Sequence, residues 1–484
     1  MTLILDELIE RGKTGLCIGG EWSPGVGEMP VVDPATEEVL VDVGLAESSH
    51  AEAAVTAAHE ALGPWSATAP RERGEILRRT FEAMRAREEE LAELIVLENG
   101  KAFPDALGEV RYAAEFFRWF SEEAPRIGGE VRMAPGGDKR IMTVRQPVGV
   151  SVMITPWNFP AAMATRKIGP ALAAGCTAIV KPASDTPLTT LAVLHLMEEA
   201  GLPPGVVNVV VARGSSGVIE KMLHDPRVRK LSFTGSTEVG QMLLKVAADQ
   251  VLNVSMELGG NAPFIVFDDA DLDAALEGAM VAKMRNAGEA CTAANRFLVH
   301  SAVADEFTSI LAGAMGSMRM GPGIDRSNQV GPMINERSRD DIAAMVQGAV
   351  DSGAKVATGG NVPDRRGYFY APTVLSGVPR DAAILDQEIF GPVAPVVTFD
   401  SDDEVIAMAN DTVHGLISYV YTSDLARGLR TAEALESGMV GLNRGLVSDP
   451  AAPFGGVKQS GLGREGSHEG IEEFLELKYI ATSW

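Results

Sequence analysis

Three cysteines, at positions 17, 176 and 291, are the first places to look for covalent chemistry. Cys291 lies in RNAGEACTAANR, after a helical pattern and among small residues that leave room for a ligand. A thiolate there can attack a carbonyl, and a nearby base or positive dipole raises its population. Cys17 sits in the strand-like LCIGG and Cys176 opens a strand after a glycine turn, so both read as packed, unreactive thiols. Glu257 ends the strand-like NVSMEL and precedes Gly259 and Gly260; a carboxylate so placed can act as general base on a water. Asn158 stands in a loop pinned by Pro156 and Pro160, where its side-chain N–H2 can stabilise an oxyanion. The plainer readings are a Glu257 paired with a backbone N–H or a lysine, and an Asn158 that serves only its turn.

Two further segments suit a dinucleotide. Lys181-Pro182-Ala183-Ser184 follows the strand-like CTAIV, and Phe233-Thr234-Gly235-Ser236 ends a strand and opens a helix whose first N–H groups can hold a pyrophosphate. Other matches fail on context. Gly461-Leu462-Gly463-Arg464-Glu465-Gly466 has the dinucleotide glycine spacing, but only 18 residues follow, too few for a second strand of a βαβ unit. Gly12-Lys13-Thr14 resembles the end of a phosphate loop, yet Glu7 stands where its opening glycine is required. The seven histidines show no HExxH spacing and the cysteines no CxxC, so no metal site is expected.

The elements that must position these residues alternate regularly. Between 148 and 260, VGVSVMI, CTAIV, VVNVVVA, KLSFT and NVSMEL alternate with helical stretches, including 161–174 and 187–200, which predicts a parallel sheet with right-handed crossovers. Ligands bind beyond the carboxyl ends of such strands, where Asn158, Lys181, Gly235 and Glu257 all fall. A second α/β block runs from 263 to about 450 through PFIVF, RFLVH, PVVTF and SYVYT. Before both comes a helical lead-in over residues 1–125. A hairpin then turns at Pro135-Gly136-Gly137-Asp138, and the tail EEFLELKYIATSW reads as a helix end and an edge strand able to pair with another subunit.

At 484 residues the chain has room for two or three domains. Its 46% apolar and 22% charged residues describe an ordinary soluble enzyme. A net charge of −24 repels nucleic acid and anionic membranes, so neither is expected as a partner, and an anionic substrate would need a local cationic pocket. The longest apolar run, Pro170 to Val180, is short of the roughly 20 residues that span a bilayer. The acidic N-terminus does not read as a signal peptide, and the unpaired thiols fit a reducing cytoplasm.

The ordered set PWNFP, KPAS, FTGS, MELGGNAP, the Cys291 segment and Glu388-Ile389-Phe390-Gly391-Pro392 resembles the aldehyde dehydrogenase superfamily through nearly the whole chain. The resemblance implies two Rossmann-type parallel-sheet domains and a β oligomerisation arm. Residues 1–125 and 148–258 would bind cofactor, 259–445 would be catalytic, and 126–147 with 468–484 would form the arm of a homodimer or homotetramer. It implies Cys291 as nucleophile, Glu257 as base and Asn158, with the Cys291 N–H, as oxyanion donor. Trp157, Lys181, Ser184, Gly235, Ser236, Leu258 and Glu388 would bind cofactor, Glu388 at the nicotinamide ribose and Lys181 at the adenosine ribose.

Within the superfamily, TRKIGPALAAGC, RKLSFTGSTEVG, RNAGEACTAANR and APFGGVKQSGLGREGS are similar in character to the succinate-semialdehyde dehydrogenases. That likeness implies that Arg166, Arg285 and Ser448 hold the distal carboxylate of a semialdehyde, a geometry that suits paired guanidiniums. Two departures stand out. Ala293 occupies the position where some relatives carry a second, redox-active cysteine, and Arg444 stands where relatives often have Thr or Glu, which keeps glutarate semialdehyde as an alternative; a broader aldehyde range, with the two arginines merely structural, is the other. Ser184 replaces the Glu common in NAD-preferring members, so NADP is the predicted preference, with NAD as the alternative and Asp185 opposing.

Overall fold

The computed structural model describes residues 2–213 and 216–484. Near the N-terminus are two hairpins, β1 (Leu16–Ile18) with β2 (Glu21–Ser23) and β3 (Glu28–Asp33) with β4 (Glu38–Gly44). The hairpin turning at Pro135 to Asp138 is β5 (Glu130–Met133) with β6 (Arg140–Pro147).

The first alternating block closes as expected into a parallel sheet of β7 (Val150–Ile154), β8 (Thr177–Lys181), β9 (Val207–Val209), β10 (Val228–Thr234) and β11 (Asn253–Glu257), in the order β11-β10-β7-β8-β9. Every residue of β7 and β8 is buried, because helices cover both faces, and so both strands lack polar alternation. The second block forms β12 (Ala262–Val266), β13 (Ala294–His300), β14 (Lys355–Thr358), β15 (Thr373–Ser376), β16 (Val393–Phe399), β17 (Ile417–Tyr421) and β18 (Met439–Leu442), parallel except at the β14 edge. The lead-in does more than precede the first sheet: β1 and β2 extend its β9 edge, and β19 (Gly461–Leu462) caps the β11 edge beside Glu257. The tail strand β20 (Leu475–Thr482) pairs antiparallel with β6 of its own chain over eight residues, leaving its outer edge open.

Nine helices accompany the first sheet, α1 (Leu3–Glu10), α2 (Ser48–Ala67), α3 (Pro70–Ala86), α4 (Glu88–Asn99), α5 (Phe103–Glu123), α6 (Pro160–Ala174), α7 (Leu188–Glu199), α8 (Ser216–Leu223) and α9 (Thr237–Ala248), and α10 (Leu272–Met284) packs on the second. The helical run ERGEILRRTFEAMRAREEELAELIVLENG divides at Arg87, where three glutamates begin α4 and complement its N-terminal dipole. Helix α6 is buried on every side, between the sheet and α5. Pro160 starts it, and Gly175, left-handed at φ 96°, ends it. Its two cations, Arg166 and Lys167, are therefore carried into the interior, where they must find counter-charges. No helix of the described residues is long and apolar enough to cross a membrane.

Candidate active site

Cys291 follows α10 by way of a strained turn. Asn286 and Ala287 adopt left-handed backbone (φ 53° and 51°) and Gly288 continues it (φ 80°). Asparagine tolerates this conformation and alanine does not, so surrounding contacts must impose it. They are present: the Asn286 N–H donates to Asp105 Oδ2 at 2.9 Å, and its side-chain amide donates to the carbonyls of Asn158 and Glu289, each at 3.0 Å. Glu289 in turn accepts the Ile334 N–H at 3.0 Å. Gly260 is required beneath Cys291, since an added Cβ would stand 2.5 Å from the Cys291 carbonyl oxygen.

Asn158 is held just as firmly. Lys101 Nζ donates to its carbonyl at 2.7 Å and to Glu109 at 2.6 Å, with both side chains of that ion pair buried. Glu109 also accepts the Ala161 and Ala162 N–H groups at the start of α6. The side-chain amide of Asn158 donates one N–H to the Glu289 carbonyl at 3.0 Å, leaving a second N–H for an oxyanion.

Glu257, at the end of β11, has both carboxyl oxygens buried and without a hydrogen-bond partner among the described residues. Burial, and then the charge of Glu465, raise its pKa well above the carboxylate range against the pull of Arg166, Lys167 and Arg464. Burial likewise pushes the Cys291 thiol up to about 12; Arg166 and Arg285 oppose this, while Glu388 and Glu257 reinforce it. Burial thus biases both groups toward their protonated forms. Glu465 behaves oppositely: burial raises it, but Arg166 and Lys167 more than reverse that, and it stays ionised. It forms ion pairs with Arg166 and with Lys167, the latter at 2.5 Å, and Lys167 also reaches Ser232 at 3.1 Å.

Trp157, Asn158, Gly235, Ser236, Glu257, Leu258, Cys291 and Glu388 all line one cavity of about 220 Å3. Through Trp157, Gly235 and Ser236 it continues into a cleft of about 360 Å3 that also contains Lys181, Ser184 and Asp185. The cleft fits a dinucleotide for a specific reason. Glu109 and Glu98 already occupy the N-termini of α6 and α7, accepting their first N–H groups, so of the helices after β7, β8 and β10 only α9 presents its N-terminus to the cleft. A Cβ on Gly235 would lie 2.4 Å from the Phe233 ring, which keeps the approach to α9 bare. Ser184 donates to the Ala212 carbonyl at 3.3 Å, and burial lowers the Lys181 pKa and raises that of Asp185.

The three side chains expected at a distal carboxylate are not gathered in the same way. Arg166 is 1% exposed, committed to Glu465, with its guanidinium 4.2 Å from the Phe454 ring centroid. Arg285 is half-buried, 5.2 Å from the Phe159 ring and donating to Thr292 Oγ1 at 3.3 Å. Both act electrostatically on Cys291 and on the buried Tyr112 hydroxyl. Ser448 lies half-buried on the loop after β18, and among the described residues no hydrogen bond ties it to either arginine. Sequence reasoning passed over Lys101, Asp105, Glu109, Lys167, Asn286 and Glu465. A signal existed for Glu109, a charge among the buried positions Ala106, Val110 and Ala113 of α5. Glu465 lay inside the discounted glycine motif.

A nucleotide-sized cleft opening onto a cysteine, a carboxyl and an amide defines a cysteine-dependent NAD(P) dehydrogenase. The chain belongs to the aldehyde dehydrogenase family, whose model matches residues 22–480. It is 57% identical over 445 residues to a succinate-semialdehyde dehydrogenase of Paenarthrobacter nicotinovorans, covering 92% of this chain and 99% of that protein. It is 48% identical to a glutarate-semialdehyde dehydrogenase of Pseudomonas putida, covering 96% and 97%. The solved structure of an E. coli NADP-dependent enzyme superposes with a TM-score of 0.96 at 47% identity, covering 97% of this chain and 98% of the other.

Proposed function

We propose that this chain oxidises succinate semialdehyde to succinate with NADP in preference to NAD. The observation that carries the reading is the single cavity in which Cys291, Glu257, Asn158 and Glu388 meet, continuous with a cleft bearing Lys181 and Ser184. Cys291 Sγ, once deprotonated, attacks the aldehyde carbon, and the free N–H of Asn158 and the Cys291 N–H receive the oxyanion. When bound, the nicotinamide supplies a hydride acceptor. Glu257, in its ionised form, takes a proton from the water that hydrolyses the Cys291 thioester. Lys181 and Ser184 offer donors to a 2′-phosphate that a glutamate would repel.

Arg285 supplies the cation best placed to meet the substrate's distal carboxylate, with Arg166 contributing its field from behind Glu465 and Ser448 completing the pocket. Glutarate semialdehyde is the second reading, favoured by the 48% identity to an enzyme of that name and by the exposed Arg444. The proposed division is a cofactor domain (1–125, 148–258), a catalytic domain (259–445) and an arm (126–147, 468–484); the eight-, seven- and three-stranded sheets support it, with β19 joining the first sheet from outside those bounds. The arm exposes Leu477, Tyr479 and Ile480 on β20, whose outer edge is open, and Val131 and Met133 on β5 at the other edge, which suits a homodimer or homotetramer. The thiols fit a cytoplasmic setting, and the net charge disfavours nucleic acid as a partner. An aldehyde panel assayed with both cofactors tests the whole reading: the highest kcat/KM should fall on succinate semialdehyde with NADP, and a preference for uncharged aldehydes would overturn it.

A further inference from the structure

Lys283 sits in the last turn of α10, eight residues before Cys291. Its side chain is 0% exposed, and its Nζ meets no hydrogen-bond acceptor among the described residues. A buried ammonium so placed is strongly disfavoured unless an opposite charge answers it. The one carboxylate that acts on it is Glu388, which lines the Cys291 cavity. Backbone contacts hold the two segments together. A Cβ on Gly288 would stand 3.2 Å from the Lys283 carbonyl oxygen and 2.2 Å from that of Gly391, three residues beyond Glu388. Glu388 itself accepts only the Gly260 N–H, at 3.2 Å, among the described residues.

We propose that Lys283 is a positioning residue for cofactor capture, a buried amine without a hydrogen-bond partner among the described residues that, from behind the Cys291 cavity, supports Glu388 as the acceptor of the ribose hydroxyls. The inference rests on the reading that Glu388 meets the nicotinamide ribose. The groups facing Glu388 are Lys283 from α10, Glu238 from α9 and the Cys291 thiol. Burial raises Glu388 to about 7; the Gly260 N–H and Lys283 pull it down and Glu238 pushes it up. Burial also lowers Lys283 to about 7, against Glu388. Without the lysine charge, Glu388 keeps its proton to higher pH, and a carboxyl is a weaker acceptor than a carboxylate.

The test is the NADP+ dissociation constant of the full chain, read from quenching of intrinsic tryptophan fluorescence between pH 6 and 9.5. Wild type, Lys283→Met, Lys283→Gln and Glu388→Gln are compared. The 2′-phosphate titrates alike in all four and cancels from the comparison. Wild type should bind more tightly as pH rises through neutrality, and Glu388→Gln should lose that step. In both lysine variants the step should move to higher pH, with binding roughly fivefold weaker at pH 7 and converging with wild type in alkali. Lysine-variant curves that superimpose on wild type while Glu388→Gln flattens would overturn the role of Lys283. A step that survives in Glu388→Gln would instead overturn the ribose reading. Should Lys283→Met fail to fold, Lys283→Gln decides by the same curves.

Discussion

Arg166 and Glu465 form a fully buried ion pair within electrostatic reach of both Cys291 and Glu257. One guanidinium thereby keeps Glu465 charged, restrains the pKa of Glu257 and opposes that of Cys291, while Arg285 nearby remains half-buried and lacks a carboxylate partner among the described residues.

The two arginines should separate on replacement. Arg166→Ala leaves the buried Glu465 carboxylate with Lys167 as its remaining cation and should cost up to about 3–5 kcal/mol of stability, with activity lost on every aldehyde. Arg285→Ala should leave the melting temperature nearly unchanged and lower kcat/KM for succinate semialdehyde by about 10- to 100-fold, as expected for a lost charged hydrogen bond. Equal losses on an uncharged aldehyde of similar length would remove Arg285 from carboxylate recognition.

Acylation and hydrolysis should come apart at Glu257. Glu257→Gln should release about one equivalent of NADPH per active site and then slow by roughly 10²- to 10⁴-fold, the usual contribution of a general base. Cys291→Ala should give no burst. Stopped-flow absorbance at the NADPH band reads both, and steady turnover by Glu257→Gln at the wild-type rate would count against its role.

The pH profile should have a rising limb. Burial raises both Cys291 and Glu257, and each acts only after losing a proton, so kcat/KM should climb from pH 6 into the alkaline range. A rate that is flat from pH 6 to 9 would contradict the proposed roles.

Cofactor choice should turn on one side chain. Ser184→Glu places a carboxylate beside Lys181 in the cleft, so kcat/KM for NADP should fall at least about tenfold while that for NAD holds or improves. Parallel losses with both cofactors would place the 2′-phosphate elsewhere.

Much of the architecture was legible because apolar strands alternating with helices admit few arrangements. The carboxyl-end rule then put Asn158, Lys181, Gly235 and Glu257 on one edge of one sheet, where the structure has them. What stayed illegible was every contact made across long sequence separations. Lys101 and Glu109 read as ordinary helix charges until they prove to anchor Asn158 and α6. Glu465 sat in a glycine motif rightly denied a nucleotide, 299 positions from the Arg166 it neutralises, a separation no local pattern encodes.

The sequence by itself determined the fold class, the family likeness and the choice of Cys291 over two packed thiols, since these depend on periodicity, motif order and local residue type. Only the tertiary structure decided the charge states around that cysteine. Those follow from desolvation and from which distant side chains share the buried space, and so Arg166 emerged as the partner of Glu465 and Lys283 as a buried amine without a hydrogen-bond partner among the described residues.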